Sequence, residues 1–373
     1  LEVQAGLLGR YQNNFANPDT GVRRLIPDYD KYDFGAFLIG EYHLKHNWLL
    51  EVGIRYDYSR MDALKFYRTS RWEERGYDED FPEFIVEDLG TQLLTNPIFN
   101  FHNFSGSAGM RFTLDADSEI RANYALGQRP PNPSELFSDG LHHSAARIEL
   151  GDLRIDSETS HRISIAYNRS GERWGLTLEP YLNFIQDFIL LEPTGAEFTI
   201  RGAFPVWSYR QTDARLAGVD LSGYYQWSPN WQSRHHFSLT KGNDLDQDEP
   251  LINIPAPITR NSISFRKTEW HGFEASLEST YVFRQNEAPP NIFVFSPAEQ
   301  ELVELEINTP PPAYHLLTLR AGMDFSLSEK LVLNTGIAVE NLANTNYREY
   351  LNRNRYFADD MGRNFILQLK LYY

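Results

Sequence analysis

The chain has 373 residues with a formal net charge of −16, and aromatic side chains make up 14% of it. This length allows two ordinary domains or one large β architecture, and the negative charge argues against a nucleic-acid partner. The absence of cysteine excludes a disulfide framework and thiolate chemistry.

Membrane helices are excluded as well, although a membrane barrel is not. Hydrophobic residues make up 41% of the chain and its mean hydropathy is −0.49. No stretch approaches the roughly 18 consecutive apolar residues of a spanning helix. A barrel strand alternates lipid-facing apolar and lumen-facing polar residues, so its hydropathy signal is weak. The many Phe and Tyr residues suit the aromatic girdles of such a barrel.

The first part of the chain contains segments with the period-two alternation of a β-strand. Residues 1–11 form a weakly patterned strand, and residues 32–42 and 47–60 are predicted to pair across a short turn at residues 43–46. In the second of these, Glu51, Arg55 and Asp57 share one face. Such a row is costly to bury in a soluble core, whereas a water-filled lumen accommodates it.

The rest of the chain continues as hairpins separated by longer segments. Paired strands are predicted at residues 101–114 and 119–127, 159–169 and 174–190, 207–227 and 231–240, 258–267 and 271–284, and 317–327 and 330–340. Loops are predicted at residues 61–97, 128–156, 192–206, 244–250, 285–312 and 341–362. The final strand, residues 363–373, alternates strictly, with Phe365, Leu367 and Leu369 on its apolar face.

Every second connection in this pattern is tight, and the connections between are long. A soluble sandwich has no reason to segregate its loops, whereas outer-membrane barrels have short periplasmic turns and long extracellular loops. Tryptophans that suit an interfacial girdle lie beside the tight turns: Trp48, Trp227, Trp231 and Trp270. We therefore predict an all-β fold, an antiparallel transmembrane β-barrel with about 14 strands present.

Four short motifs occur in order along the chain. They are GIRYD at 53–57, GQRPPNPSELF at 127–137, INIPAP at 252–257, and Asn341-Leu342 followed by Tyr347 and by GRNF at 362–365. Each is short, but together they resemble the C-terminal part of a TonB-dependent outer-membrane receptor. The resemblance covers essentially the whole chain.

The resemblance implies a 22-stranded barrel, wide enough to hold a plug. Residues 1–373 would then be the C-terminal portion of that barrel, a single incomplete domain. The family's plug domain and TonB box, with about eight early strands, are expected to be absent from this chain. An open sheet leaves two unpaired edges that lipid does not tolerate, so the remaining strands are expected on another segment.

The resemblance also implies localisation in the Gram-negative outer membrane and uptake of a metal or metal complex. TonB, ExbB and ExbD would energise uptake through the plug, with outer-membrane lipid and lipopolysaccharide around the barrel. The expected cargo is an iron–siderophore, with zinc next. The alternative is a passive channel, followed by a surface enzyme or adhesin. The sequence contains no G-x-S-x-G, H-E-x-x-H or phosphate-loop motif, so we expect neither enzymatic activity nor a tightly bound cofactor.

The candidate site lies at and after the ELF motif. Its predicted ligand-binding residues are Arg129, Glu135, Asp139, His142, His143 and Glu149. Imidazoles beside carboxylates suit zinc or another borderline metal, so His142, His143 and Asp139 are the candidate metal ligands. The stretch also resembles the zinc-uptake branch of the family. The competing interpretation is a loop of solvated polar side chains, and adjacent histidines in an extended loop point apart.

Two acidic runs are weaker candidates. Asp244, Asp246, Asp248 and Glu249 have a spacing that superficially indicates calcium, but the EF-hand loop requires Gly where Glu249 stands. We therefore expect an acidic, solvated loop there. The acidic residues between positions 73 and 80 are interpreted in the same way.

Overall fold

The computed structural model describes residues 1–15, 24–45, 47–199, 202–328 and 330–373. Its three helices are short: α1 (Thr69–Glu74), α2 (Tyr77–Asp80) and α3 (Pro133–Phe137). In these ranges no helix is long and apolar enough to cross a membrane. The strands are β1 (Glu2–Asn14), β2 (Asp28–Lys45), β3 (Trp48–Arg68), β4 (Ile85–Asp88), β5 (Gln92–Thr95), β6 (Ile98–Asp115), β7 (Ser118–Arg129), β8 (Asp139–His142), β9 (Arg147–Leu150), β10 (Glu158–Ser170), β11 (Trp174–Thr199), β12 (Gly202–Gln226), β13 (Trp231–Asp244), β14 (Glu249–Pro250), β15 (Ile258–Lys267), β16 (Phe273–Val282), β17 (Ile292–Ser296), β18 (Glu301–Leu305), β19 (Tyr314–Ser328), β20 (Leu331–Glu340) and β21 (Asn364–Tyr372).

Fourteen of these strands form one continuous antiparallel wall. Each pairs with the next in the order β1, β2, β3, β6, β7, β10, β11, β12, β13, β15, β16, β19, β20 and β21. Within the described ranges, β1 pairs only with β2 and β21 only with β20. The predicted strand number and the all-β, antiparallel fold are confirmed.

Tight turns and long loops alternate around this wall, as predicted. One end of the wall carries tight connections, such as Ala116-Asp117 between β6 and β7, and we call it the tight-turn end. The opposite, long-loop end carries the extended connections. The predicted turns at His46 and Glu329 lie outside the described residues. Of the predicted girdle tryptophans, Trp227, Trp231 and Trp270 are exposed at the tight-turn end.

The two faces of the wall differ in polarity. On β21 the side chains of Phe365, Leu367 and Leu369 are 72%, 69% and 62% exposed. On β3 the outward Ile54 is also exposed, whereas the neighbouring Arg55 binds Asp57 on the opposite face, with 2.6 Å between Nη2 and Oδ1. An apolar outer face and a charged inner face are typical of a membrane barrel.

Several segments predicted to be loops are structured instead. The segment 192–206 was interpreted as a loop because it contains Pro193, Gly195 and Pro205, but its described residues, 192–199 and 202–206, lie in the extended hairpin of β11 and β12. A register shift between Pro193 and Gly195 accommodates the proline, which lacks an N–H for the ladder. The predicted loop 285–312 likewise contains the hairpin of β17 and β18. Alternation was not visible there because neither face of these hairpins is uniformly apolar.

The buried core lies at the long-loop end, not between two layers of the wall. Its largest cluster combines residues from β3 with residues of the two connections that follow β3 and β7, including Trp72, Tyr77 and Phe137. A second cluster joins β11 and β12 to later loops through Leu190, Trp207 and Ile307. The long connections therefore fold onto one another at this end.

Candidate functional site

Residues 69–97 and 130–157, together called the cap here, are held by a shared aromatic core. Trp72 of α1 and Tyr77 of α2 are fully buried, with ring centroids 5.1 Å apart. Tyr67 at the end of β3 packs on Trp72 at the same distance, 5.1 Å. Leu136 and Phe137 of α3 belong to the same cluster. Burial of so much aromatic surface fixes the two connections against each other.

Polar contacts join the same two connections. The Tyr77 hydroxyl donates to Asp152 Oδ1 at 3.1 Å and accepts from the Leu153 backbone N–H at 3.1 Å. Burial, followed by the neighbouring Asp152 carboxylate, raises the pKa of Tyr77 to about 12. Arg154 pairs with Asp80 across the cap, Nε to Oδ2 at 2.6 Å. Tyr77 therefore remains a hydrogen-bond donor at any physiological pH.

Arg129 and Glu135, both predicted to bind ligand, are bound to each other. Arg129 Nη1 lies 2.9 Å from Glu135 Oε2, and Arg129 Nε lies 3.0 Å from Glu158 Oε1. Glu135 also accepts from the Asn132 backbone N–H at 2.6 Å, which caps the first turn of α3. Glu135 is nearly buried, at 9% exposure. The ion pair links the end of β7 to α3, where the second connection of the cap begins. Ligand contact by either residue stays a prediction.

His142 and Glu149 meet across the small hairpin of β8 and β9. His142 Nδ1 lies 2.8 Å from Glu149 Oε1, and the same oxygen accepts from Arg147 Nε at 2.8 Å. Arg147 also stacks on Trp207, with the guanidinium carbon 4.5 Å from the ring centroid. Arg147 and Trp207 were not singled out from the sequence, because their contact joins β9 and β12, at positions 60 residues apart.

The three candidate metal ligands are not brought together. In the hairpin, Gly140 lies opposite Glu149 and His142 lies opposite Arg147. Successive residues of a strand point to opposite faces, so Asp139, three positions before His142, projects from the other face of β8. Asp139 is buried beside Arg75, with 3.8 Å between Oδ1 and Nη2, and His143 is exposed at the following turn. In the part of the chain that the structure describes, no three His, Asp or Glu side chains are placed to hold a metal ion. Metal binding by His142, His143 and Asp139 stays a prediction.

The Glu149 network predicts a pH-dependent cap. Burial raises the pKa of Glu149, but hydrogen bonds from His142 and Arg147 lower it by more, so its pKa lies below the ordinary value of 4.5. A depressed carboxylate pKa stabilises the folded form above the ordinary pKa, and that stabilisation is lost as pH falls through the folded value. Glu149→Gln is expected to destabilise the hairpin by about 1–3 kcal/mol at neutral pH, since it weakens the bonds to the buried Arg147.

Hydrogen exchange of residues 139–150, corrected for intrinsic rates, measures this effect. The difference between the wild type and Glu149→Gln should disappear once pH falls through the folded pKa of Glu149. A difference that persists unchanged to about pH 3 would show that ionisation of Glu149 is irrelevant to the hairpin.

The acidic run at 244–249 is partly buried, so the expectation of a wholly solvated loop is wrong for Asp244. Asp244 is 2% exposed and accepts from Thr212 Oγ1 and from Arg210 Nη2, both at 2.6 Å. Asp246 and Asp248 are exposed, as expected. The acidic residues of α1 and α2, such as Glu73 and Asp80, are exposed as well.

A family model described as TonB dependent receptor-like, beta-barrel, matches residues 3–342. The chain belongs to this family of TonB-dependent receptors. It resembles solved structures of the copper transporter OprC (18% identity, TM-score 0.69, 92% of this chain and 48% of that chain) and of the FrpB iron transporter from Neisseria meningitidis (14% identity, TM-score 0.61, 99% and 52%). It also resembles the ferric yersiniabactin uptake receptor FyuA from Yersinia pestis (14% identity, TM-score 0.61, 93% and 46%).

The TonB-dependent receptor chain described here spans about half the length of these three solved structures. At such low identity the likeness establishes the barrel fold. Membership of the family places the chain in the bacterial outer membrane. Because tight turns of outer-membrane barrels face the periplasm and long loops face outward, we expect the cap to be extracellular.

Proposed function

We propose that the chain forms the C-terminal portion of a receptor that imports a metal or metal complex across the outer membrane. The observation that carries this proposal is the cap, an ordered extracellular structure with a buried aromatic core at the mouth of the barrel. A passive channel has no need of such a structure over its mouth. The names of the similar solved structures, which are copper and iron transporters and a ferric-siderophore receptor, support the same proposal.

The energy source in this proposal is TonB with ExbB and ExbD, acting through a plug domain supplied by another segment of the receptor. Family membership supports the role of TonB. The open wall supports a further segment, since β1 and β21 each have one neighbouring strand in the described ranges. Unpaired strand edges are not tolerated in lipid, so further strands complete the barrel, to about 22 by the family's pattern. The outer face then contacts outer-membrane lipid and lipopolysaccharide.

A chelated metal, with an iron–siderophore first, is the proposed cargo, and bare zinc comes next. The carboxylate of Glu149 already binds Arg147 and His142, and that of Glu135 binds Arg129. Bare zinc coordinated by the carboxylate of Glu135 or Glu149 would have to displace these contacts, each of which involves a buried or nearly buried carboxylate. A chelate carries its own ligands and needs only surface contacts, so it leaves the pairs intact.

Uptake of a labelled ferric chelate by cells that produce the complete receptor tests this function. The proposal predicts saturable uptake that stops when a protonophore collapses the inner-membrane proton gradient. Uptake that is linear in concentration and indifferent to the protonophore would instead identify a passive channel. Binding of the chelate without uptake would support an adhesin-like role.

The two adjacent histidines give a prediction about the cargo. If the cargo reaches the receptor as bare zinc, replacing both His142 and His143 by Ala should reduce zinc-dependent uptake about tenfold or more while barrel assembly is unchanged. If the cargo is a ferric chelate, the double variant should transport it like the wild type. Isothermal calorimetry of zinc and of the chelate, with and without the two histidines, measures the difference directly.

A further inference from the structure

A cavity of about 180 Å³ lies at the long-loop end, apart from the cap. It is enclosed by β11, β12, the connection between β13 and β15, and the connection between β16 and β19. Its apolar wall includes Leu190 and Ile252, which belong to one buried cluster, and Ile292, which packs against that cluster. Pro289 and Pro290 also line it, and since proline has no backbone N–H, they offer only carbonyl acceptors.

The charged side chains that line this cavity are mainly acidic. Glu192, Asp244 and Glu249 face a single cation, Arg210. Arg210 Nε lies 2.5 Å from Glu192 Oε1, and Arg210 Nη2 lies 2.6 Å from Asp244 Oδ2, so one guanidinium serves two carboxylates. Within the described part of the chain, the Glu249 side chain has no ion-pair partner. The cavity therefore carries excess negative charge.

The side-chain amide of Asn308 is a second, independent indication that the cavity lacks a hydrogen-bond donor. Asn308 lines the cavity and is 4% exposed. Its Nδ2 donates to the Pro290 carbonyl at 2.6 Å, which fixes the orientation of the amide. Its Oδ1 is buried without a hydrogen-bond partner. A buried acceptor left unpaired costs about 1–3 kcal/mol, so the site is complete only when a donor enters.

We propose that this cavity binds the protonated amine or guanidinium group of a small organic cation. Such a group brings positive charge for Glu249 and N–H donors for Asn308 Oδ1, and its aliphatic stem suits the proline and isoleucine walls. The volume is close to the roughly 150 Å³ of a cavity that holds one benzene molecule. The site is separate from Glu149 and His142, and it goes beyond the uptake of a metal complex.

Calorimetric titration of the complete receptor in detergent with agmatine, which has both an amine and a guanidinium, tests the proposal. Pentan-1-ol, a neutral molecule with a similar aliphatic stem, should not bind. Glu249→Gln should weaken agmatine binding about tenfold, because it removes the unpaired carboxylate and preserves its shape. Glu299→Gln, which removes an exposed carboxylate from the turn between β17 and β18, is the matched control and should bind agmatine like the wild type.

A second variant tests the same position by reversing its charge. Glu249→Lys places an ammonium group at the cavity and should abolish agmatine binding without altering the barrel. The proposal is overturned if agmatine does not bind, if pentan-1-ol binds as well, or if Glu249→Gln and Glu299→Gln behave alike. If the wild-type receptor does not bind agmatine but still takes up a ferric chelate, the cation site alone is rejected and the transport function stands.

Discussion

Leu369→Arg is expected to destabilise the barrel by about 2–4 kcal/mol, the cost of an arginine on the lipid face near the bilayer midplane. Leu369 lies in the middle of β21, 62% exposed on the outer face, opposite Thr335 of β20. In a bilayer this exposed surface contacts hydrocarbon, so the guanidinium must be desolvated or must displace lipid. Urea unfolding of the complete receptor in lipid vesicles measures the change.

The neighbouring residue provides a matched control for this substitution. Gln368 pairs with Gly336 on the inner face of the same strand. Gln368→Arg adds the same side chain in a polar, wet lumen, so its effect should be close to zero. Equal losses from the two substitutions would mean that the faces of β21 are assigned wrongly, and the membrane orientation of the wall would have to be reconsidered.

Trp72→Ala is expected to unfold the cap locally, at a cost of about 3–5 kcal/mol. Trp72 is fully buried between Tyr67 and Tyr77, and its Nε1 has no hydrogen-bond partner in the described residues, so its contribution comes from packing. The short helices α1 and α2 have little intrinsic stability and depend on this contact. Limited proteolysis and hydrogen exchange of residues 69–97 report the local opening.

The barrel wall should survive the loss of Trp72, because its strands pair with one another along most of their length, and the cap strands β5 and β9 add only short pairings to the ends of β3 and β12. Trp270→Ala, which removes an exposed tryptophan at the tight-turn end, should leave cap protection unchanged. If the cargo binds on the cap, Trp72→Ala should also weaken cargo binding. A cap that stays protected without Trp72 would contradict the packing account.

The wall of the fold was predictable because each strand carries its own signal. The alternation around Ile54 and Leu369 follows directly from one face in lipid and one in the lumen. The extended hairpin of β11 and β12 was missed because Pro193 and Pro205 are ordinarily signs of a loop. Only the pairing partner, with a register shift beside Pro193, shows how the strand continues.

The candidate site was predictable in part. Asn132 followed by Glu135 is a helix-capping pattern, and Glu135 does cap α3. The aromatic core formed by Tyr67, Trp72 and Phe137 was not predicted, because it joins two predicted loops that are separated in sequence by the hairpin of β6 and β7. The separation of Asp139 from His142 depended on whether the segment is a strand, and strand alternation places them on opposite faces.

The cap and the cation cavity give the extracellular end two distinct polar environments. In the cap, Arg147 and His142 both contact the carboxylate of Glu149, so this carboxylate already has its partners. In the cavity, Glu249 has no ion-pair partner and Asn308 Oδ1 has no hydrogen-bond donor within the described residues. The two environments involve different residues, so each can be altered without changing the other.

Site-specific labelling in intact cells tests the central claim, that the long-loop end of a membrane-spanning wall, which carries the cap and the hairpin of β17 and β18, faces outward. The chain has no cysteine, so, with any cysteine elsewhere in the complete receptor replaced by serine, Ala298→Cys in the turn between β17 and β18 and Ala116→Cys in the tight turn between β6 and β7 each introduce one thiol. A membrane-impermeant maleimide should label Ala298→Cys in intact cells and Ala116→Cys only after the outer membrane is permeabilised. Labelling of Ala116→Cys in intact cells, with Ala298→Cys protected, would contradict the proposed orientation and the capture role of the cap.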